Sequence, residues 1–232
     1  MENLELAAFS FAALHLLVSG TRLRDAIVAR IGERPYQGLF SLASAASLGW
    51  LIVAYARVRV PEISALAQFR GAADALMLIA FLFIVLGLLS PKTPTIVGGE
   101  RFLAKAQHPA DLTVGIHRIT RHPFLWGIAL WAAVHIVFNP APPHLLFFGT
   151  FLVVALAGTW SIDQKRARHL GEAWQRYAAI SSNLPFLAIV RGRNRLVLGE
   201  IGIWKVLVAV AIALAVAGEH ARLFGVPAIN HF

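Results

Sequence analysis

Long apolar segments constrain this chain more than any other feature of its sequence. An α-helix rises about 1.5 Å per residue, so about 20 mostly apolar residues are needed to cross the hydrocarbon core of a membrane. Six segments approach this length: 4–20, 39–55, 72–89, 124–138, 145–162 and 203–218. The fourth is the shortest. The sequence therefore predicts an all-α, polytopic helix bundle of about six spans, which forms one membrane-embedded domain over residues 1–232.

The composition indicates a lipid rather than an aqueous environment. Hydrophobic residues make up 58% of the 232 residues and charged residues 14%, whereas about 25% of the residues in a soluble domain are charged. The net charge of +9 would suit nucleic acid, but the Lys and Arg residues lie in short loops between apolar segments. The expected partner is therefore the lipid bilayer, and nucleic acid is excluded.

The basic residues predict the orientation of the helices, because Lys and Arg beside a span resist translocation. Most of the 21 Lys and Arg residues fall in loops 21–38, 90–123 and 163–202, which are therefore predicted to be cytoplasmic. Both termini would then lie in the periplasm, as in a multi-pass protein of a bacterial inner membrane. Glu2 and Glu5 stand where a signal peptide would be basic, so the first segment is expected to remain as a permanent helix.

Two of the cytoplasmic loops have the periodicity of short amphipathic helices that lie at a membrane surface. Their apolar residues recur at every third or fourth position, in two groups: Leu23, Ile27 and Ile31, and Leu170, Trp174 and Tyr177. Basic residues occupy the opposite faces. The alternative is a solvated loop in which the periodicity is incidental.

Histidine is the main candidate for metal binding and acid–base chemistry. The chain has no cysteine, which excludes disulfides, thiolate metal sites, a cysteine nucleophile and covalent haem attachment. Polar side chains inside a span cost free energy unless they face a partner or a cavity. His15 in the first segment and His135 in the fourth stand out for this reason. Small residues share a helix face with His15, and Trp131 and Gly127 lie one and two turns before His135.

These two histidines indicate a flat cofactor held between two helices. Neutral imidazoles from facing helices suit the axial ligation of haem b, which needs no covalent attachment. The alternative is that each histidine forms a hydrogen bond across a helix interface and binds no metal. The residues alone leave both interpretations open.

A second polar cluster immediately precedes the fourth apolar segment. It reads Gly-Ile-His-Arg-Ile-Thr-Arg-His-Pro and ends at Pro123, a residue that suits the first turn of a helix. Such a helix would direct its unpaired amides and its positive dipole end towards His117, Arg118, Arg121 and His122. The sequence therefore predicts an anion site for a haem propionate, a lipid phosphate or a cofactor carboxylate. The alternative is ordinary anchoring by positive charge on the cytoplasmic side.

Residues at fixed spacing in two separate segments carry a family resemblance. The first segment contains His15, Arg22, Arg24, Gly32-Glu33-Arg34, Tyr36 and Phe40-Ser41. The second contains Arg121-His122-Pro123, Leu125-Trp126-Gly127, Trp131 and His135. Residues 10–57 and 114–140 thereby resemble the NnrU family of bacterial membrane proteins. That family is associated with denitrification gene clusters, and the resemblance implies a small oxidised-nitrogen ligand.

The 15-cis-zeta-carotene isomerases of plants and cyanobacteria are similar to this family. Their likeness implies haem b with His15 and His135 as axial ligands, and redox chemistry at the iron that isomerises a lipophilic polyene. The haem propionates would then face Arg121 and the neighbouring basic residues. Ala132 stands where the isomerases have a cysteine, so the exchange of an iron ligand for a thiolate is not expected here.

A weaker resemblance links the chain to the membrane methyltransferases of isoprenylcysteine and phospholipids. Their S-adenosylmethionine motif and C-terminal segment resemble Arg121-His122-Pro123 with Gly127, and Gly171-Glu172, Tyr177 and Asn183-Leu184-Pro185-Phe186. This implies an alternative function, lipid methylation at Arg121, His122, Asp163 and Glu172. Asp163 stands where those enzymes have paired glutamates. A third alternative is a non-catalytic accessory or assembly protein with structural histidines and a protein partner that the sequence does not identify.

Overall fold

The structure, a computed structural model, describes residues 1–19, 21–59, 69–90, 93–96, 98–106 and 108–225. All regular secondary structure in these ranges is helical, which confirms the predicted fold class. The α-helices are α1 (Glu2–Ala13), α2 (Arg22–Ile31), α3 (Glu33–Ala56), α4 (Arg70–Leu88), α5 (Glu100–Lys105), α6 (Pro123–Phe138), α7 (Pro142–Ile180), α8 (Leu187–Val190) and α9 (Ile203–Phe224). A π-helical turn, Leu14–Val18, continues α1, and short 3-10 turns occur at Pro109–Leu112, Gly115–Arg118 and Leu198–Glu200.

Four of these helices are long and apolar enough to cross a membrane, namely α3, α4, α7 and α9. Helix α1 with its π-helical turn and α2 provide a fifth candidate if they are taken together as one broken span. The apolar helix α6 is shorter, with 16 residues. Each of the six predicted segments thus falls on a helix, although residue 20 at the end of the first lies outside the described residues. The chain is therefore a multi-helix membrane protein with four to five candidate spans in the described residues.

The chain divides into two compact units. Unit 1 comprises Met1–Ala73 and Ile128–Arg168, and unit 2 comprises Asp74–Gly127 and His169–Phe232. That residues 1–232 act as a single domain stays a prediction.

The core of unit 1 combines small and aromatic side chains. Leu4, Ala7, Leu51 and Ala132 are fully buried, and Phe148 packs in the same cluster. Lipid tails are as apolar as leucine, so helices inside a membrane gain little from being transferred out of lipid. Close van der Waals contact stabilises this core instead, and the alanines allow the helices to approach closely.

Helix α2 confirms the first of the two predicted amphipathic helices. It begins after Thr21, whose hydroxyl accepts a hydrogen bond from the Leu23 backbone N–H at 3.2 Å, a typical N-cap. It ends at Gly32, whose φ of 86° suits a residue without a side chain. Leu23 and Ile31 are exposed in the structure. The location of α2 at the membrane surface stays a prediction.

The second predicted amphipathic helix forms the end of α7. The helix breaks at Gly171, which has a φ of 50° and a ψ of −126°. Beyond the break, Trp174 and Tyr177 are buried against Leu103 and Leu112 in unit 2. The predicted apolar face is therefore real, but it packs on the protein rather than lying against lipid. The sequence could not reveal this, because the segment that covers the face lies far away in the chain.

Glycines bring α4 and the start of α6 into close contact in unit 2. A Cβ atom on Gly87 would lie 2.7 Å from the backbone nitrogen of Phe124. A Cβ atom on Gly127 would lie 2.8 Å from the carbonyl oxygen of Ala80 and equally close to the backbone nitrogen of Ile84. Both distances are far below a normal contact. Only glycine therefore permits this approach of the two backbones, as is common between membrane helices.

Candidate functional site

His15 lies in the π-helical turn Leu14–Val18. Such turns are rare and frequently occur at functional sites. Its Nδ1 atom is 2.8 Å from the carbonyl oxygen of Phe11, and its Nε2 atom is 3.2 Å from the hydroxyl oxygen of Ser44. A carbonyl oxygen can only accept a hydrogen bond, so Nδ1 carries the proton of the neutral imidazole and Nε2 accepts from Ser44.

His135 repeats this arrangement on α6. Its Nδ1 atom is 2.8 Å from the carbonyl oxygen of Trp131, four residues earlier in the same helix. The same reasoning assigns the proton to Nδ1 and the lone pair to Nε2. Metal-binding histidines commonly donate their second N–H to a backbone carbonyl, which fixes both the tautomer and the ring orientation. Both histidines thus have the tautomer that ligation through Nε2 requires.

Aromatic side chains connect the two histidines within unit 1. The Phe11 ring centroid lies 4.2 Å from that of His15 and 5.5 Å from that of Phe151. Trp131 lies 5.5 Å from Phe151 and 5.0 Å from His135. This continuous row of rings offers flat, apolar faces, which suit a flat lipophilic group. Trp131, predicted from the sequence, and both histidines therefore belong to one aromatic cluster.

The donor set in unit 1 fits haem b. No group of three or more His, Cys, Asp or Glu side chains that could hold a metal ion occurs in the described ranges. Haem needs only two protein ligands, because the porphyrin supplies the others. His15 and His135 provide two imidazoles whose Nδ1–H groups are bonded to backbone carbonyls, and the aromatic row supplies flat, apolar neighbours. Binding of haem itself stays a prediction.

Arg121 and His122 belong to unit 2 and are largely buried, with 8% and 4% of their surface exposed. The backbone N–H of Arg121 donates to the carbonyl oxygen of Ser182 at 2.9 Å. Its guanidinium donates to the Ser181 hydroxyl at 3.3 Å and lies over the Trp174 ring, 5.5 Å from the centroid. These contacts join the polar cluster before α6 to the end of α7. Helix α6 begins at Pro123, as the sequence predicts.

Arg121 lines a shallow cavity of about 320 Å³ at the end of α7, which is largely open to its surroundings. The wall residues are Arg121, Ala178, Ser181, Ser182, Asn183, Leu184, Leu187 and Arg193. The sequence therefore predicted one residue of this cavity, Arg121, as an anion-binding group. Arg193 was missed, because nothing in the local sequence distinguishes it from the other arginines of its loop.

Arg118 forms a bidentate ion pair with Glu200. Its Nε and Nη2 atoms donate to the two carboxylate oxygens at 2.6 and 2.7 Å, and its Nη1 atom donates to Asn194 at 2.8 Å. The backbone N–H of Gly115 also donates to Glu200, at 3.0 Å. Arg118 thus joins the 3-10 turn Gly115–Arg118 to the turn Leu198–Glu200. This contact is structural, and a role for Arg118 in cofactor binding stays a prediction.

This ion pair makes stability depend on pH. Hydrogen bonds from Arg118, and then from the Gly115 N–H, lower the pKa of Glu200 from 4.5 to about 2. A carboxyl group whose pKa is lower in the folded state stabilises the protein fully above its unfolded pKa. The contribution is lost as the pH falls from 4.5 towards 2.

We expect Glu200→Gln to reduce the free energy of unfolding by about 1–2 kcal/mol at neutral pH, since the pair is bidentate but partly exposed. The difference from the wild type should shrink as the pH falls below 4.5. Denaturant unfolding of the detergent-solubilised protein at several pH values measures this difference in the free energy of unfolding. Glu219→Gln is the control, because its pair with Arg222 is longer, 3.5 Å, and exposed. A difference that does not change with pH would contradict the expectation.

His117 belongs to the polar cluster before α6 and is buried, and this burial lowers the pKa of its imidazole. Its Nε2 atom donates to the backbone carbonyl of Ser90 at 2.8 Å. The Ser90 hydroxyl in turn accepts a hydrogen bond from the Lys205 ammonium group at 3.2 Å. His117 therefore joins the end of α4 to the turn before α6. Gly127 likewise contacts α4, through Ala80 and Ile84, and its predicted place beside a flat cofactor stays a prediction.

The helical architecture, the apolar spans and the two histidines of the aromatic cluster define a polytopic helical membrane protein with a candidate cofactor site in unit 1. The sequence matches the family described as NnrU protein over residues 3–228. The chain therefore belongs to the NnrU family.

The chain is similar to proteins named 15-cis-zeta-carotene isomerase, chloroplastic. The protein from Zea mays is 29% identical over 196 residues, which cover 80% of this chain and 50% of the relative. The protein from Arabidopsis thaliana is 31% identical over 80 residues, which cover 34% of this chain and 22% of the relative. The match thus spans half the length of these relatives or less. No solved structure shows a significant match.

Proposed function

We propose that this protein is a membrane isomerase of a lipophilic polyene that binds haem b between His15 and His135. The observation that carries the proposal is the matched hydrogen bonding of the two imidazoles. Each donates its Nδ1–H to the carbonyl oxygen four residues earlier, at 2.8 Å, and so keeps Nε2 as the basic nitrogen. The similarity to proteins named as carotene isomerases supports the choice of reaction.

The residues of the site would act in distinct ways. His15 and His135 would hold the haem, which when bound supplies one-electron redox chemistry at its iron. The Ser44 hydroxyl, 3.2 Å from Nε2 of His15, would have to rotate away before that nitrogen could bind a metal. Phe11, Trp131 and Phe151 would exclude water and present flat faces to a polyene.

We place the protein in a bacterial inner membrane, with both termini in the periplasm. The support is the concentration of Lys and Arg in loops 21–38, 90–123 and 163–202, on the predicted cytoplasmic side. The association of the family with denitrification implies a small oxidised-nitrogen ligand. Such a ligand would compete with the two histidines for the haem iron.

Methyl transfer from S-adenosylmethionine is less well supported by the geometry. Arg121 lines the cavity of unit 2, but His122 and Glu172 are not among the residues of its wall. Glu172 is exposed. No contact in the described ranges favours the accessory or assembly function over an enzyme.

An absorption spectrum of the purified protein tests the proposal. The protein would be produced with ample haem supply, and spectra would be taken before and after reduction with dithionite. We expect the sharp reduced bands of six-coordinate haem b and about one haem per chain. The reduced protein should then isomerise an added cis-polyene, as followed by chromatography. A colourless protein that does not take up added haem would refute the cofactor, and a haem protein without turnover would refute the reaction.

A further inference from the structure

The cavity in unit 2 has the features of a second binding site, independent of the proposed haem site. Arg121 and Arg193 contribute positive charge to its wall, and Ser181 and Asn183 contribute polar groups. Leu184 and Leu187 supply an apolar part of the same wall. A cavity of about 320 Å³ is large enough for a small headgroup.

Arg193 is positioned to bind an anion as well as the protein. Its Nη1 atom donates to the carbonyl oxygens of Ala178, Ala179 and Ser181, at 3.2, 2.9 and 3.0 Å. These bonds fix the guanidinium at the end of α7. In the part of the chain that the structure describes, no residue accepts a hydrogen bond from its Nε or Nη2 atom. This second edge has the fork geometry that binds phosphate oxygens.

The charge around the cavity favours an anionic occupant. Residues 181–198 contain Arg191, Arg193 and Arg195 but no Asp or Glu. Arg121 adds its charge from the segment before α6, where its guanidinium is held over Trp174. An anion in the cavity would therefore meet positive charge from two separate segments of the chain.

Apolar side chains are exposed in the same segment. Val190 and Leu198 are 80% and 69% exposed, and Leu184 and Phe186 are also exposed. Phe186 has a φ of 64°, which is the one positive φ of a non-glycine residue in the described ranges. That backbone conformation is unfavourable for a bulky residue. Exposed apolar side chains can pack against acyl chains, and these four lie in or next to the segment that contributes most of the cavity wall.

We propose that this cavity binds the phosphate of an anionic phospholipid. The phosphate would accept hydrogen bonds from Arg193 and interact with the charge of Arg121. The acyl chains would lie against Leu184, Phe186 and Val190. A soluble anion could use the two arginines, but it would gain nothing from the exposed apolar side chains.

Titration calorimetry on the detergent-solubilised full chain tests this proposal, with dihexanoylphosphatidylglycerol and dihexanoylphosphatidylcholine as the probes. We expect the anionic lipid to bind at least about tenfold more tightly than the zwitterionic one. Leu184→Glu adds a carboxylate at an exposed position of the wall and should weaken phosphatidylglycerol binding about tenfold by repulsion. Leu184→Gln, which has the same size as Glu but is neutral, loses only the apolar contact and should weaken binding clearly less than Leu184→Glu, by about twofold to threefold.

Arg193→Gln gives a second test, with Arg191→Gln as its control. Arg193→Gln should weaken phosphatidylglycerol binding about tenfold. Arg191→Gln removes an exposed charge that adds to the field but does not line the cavity, so it should weaken binding no more than about twofold. Arg193→Gln could fail to fold because it loses the contacts at the end of α7. In that case the comparison of Leu184→Glu with Leu184→Gln tests the proposal.

Equal affinity for the two lipids would overturn the proposal. So would equal binding by both Leu184 variants. Displacement of phosphatidylglycerol by millimolar inorganic phosphate, or by S-adenosylmethionine, would assign the cavity to a small soluble ligand and equally overturn it. None of these outcomes depends on whether haem binds in unit 1.

Discussion

His135→Ala is expected to yield a folded protein that retains no haem. His135 Nε2 is the proposed iron ligand, and its imidazole is held by the Trp131 carbonyl and stacked on the Phe148 ring at 4.2 Å. Alanine would remove this proposed ligand, so that His15 alone would be left to hold the haem. His15→Ala should have the same effect for the same reason. The ratio of haem absorbance to protein absorbance after purification measures the haem content of both variants. We expect this ratio to fall at least about tenfold relative to the wild type.

His144→Ala is the matched control for these variants. His144 also lies in unit 1 and contacts the same aromatic cluster, 5.8 Å from the rings of Tyr55 and Phe148. Its loss should leave the haem content unchanged if ligation, rather than aromatic packing, determines retention. Unchanged haem content in both the His15 and His135 variants would disprove the proposed ligation. Loss in the His144 variant as well would point to general damage of the cluster.

Gly127→Ala is expected to lower the free energy of unfolding by about 2–3 kcal/mol. The new Cβ atom would lie 2.6 Å from the Cγ1 atom of Ile84 and 2.8 Å from the carbonyl oxygen of Ala80. The side-chain atom can move, but the backbone atoms of α4 cannot move without displacing the whole helix. Denaturant or thermal unfolding of the detergent-solubilised protein measures the effect, and Gly127→Val should be worse.

Gly149→Ala provides the control in a different apolar helix. A Cβ atom on Gly149 would meet nothing within 4 Å. Alanine should be neutral there or stabilising by up to about 1 kcal/mol, because glycine loses more conformational entropy in a helix. If Gly127→Ala proves as harmless as Gly149→Ala, the close approach of α4 and α6 is not present in the folded protein.

Much of the candidate site in unit 1 could be predicted from the sequence. His15 and His135 are conspicuous because ionisable side chains are rare inside apolar segments. Trp131 was found because it lies one helical turn from His135. Ser44, Phe148 and Phe151 were missed, because their roles depend on which face of a neighbouring helix packs against the histidines. Sequence spacing within one helix does not contain that information.

The site in unit 2 was less predictable. Arg118, Arg121 and His122 lie close together in the sequence, and this spacing predicts that they form one anion site. The structure gives them separate tasks, since Arg118 pairs with Glu200 while Arg121 lines the cavity that Arg193 completes. Glu200 and Arg193 lie more than 70 residues further along the chain. Contacts of that range cannot be inferred from local patterns.

The sequence by itself determined the helical class, the membrane environment and the positions of the apolar helices. Lipid leaves a helix as the simplest way to satisfy every backbone hydrogen bond, so a long apolar segment specifies its own structure. The tertiary structure alone decided the contact of Ser44 with His15, the burial of Trp174 and Tyr177, and the close contact of Gly127 with α4. These depend on shape complementarity between helices, which arises only once residues that are distant in the sequence are packed together.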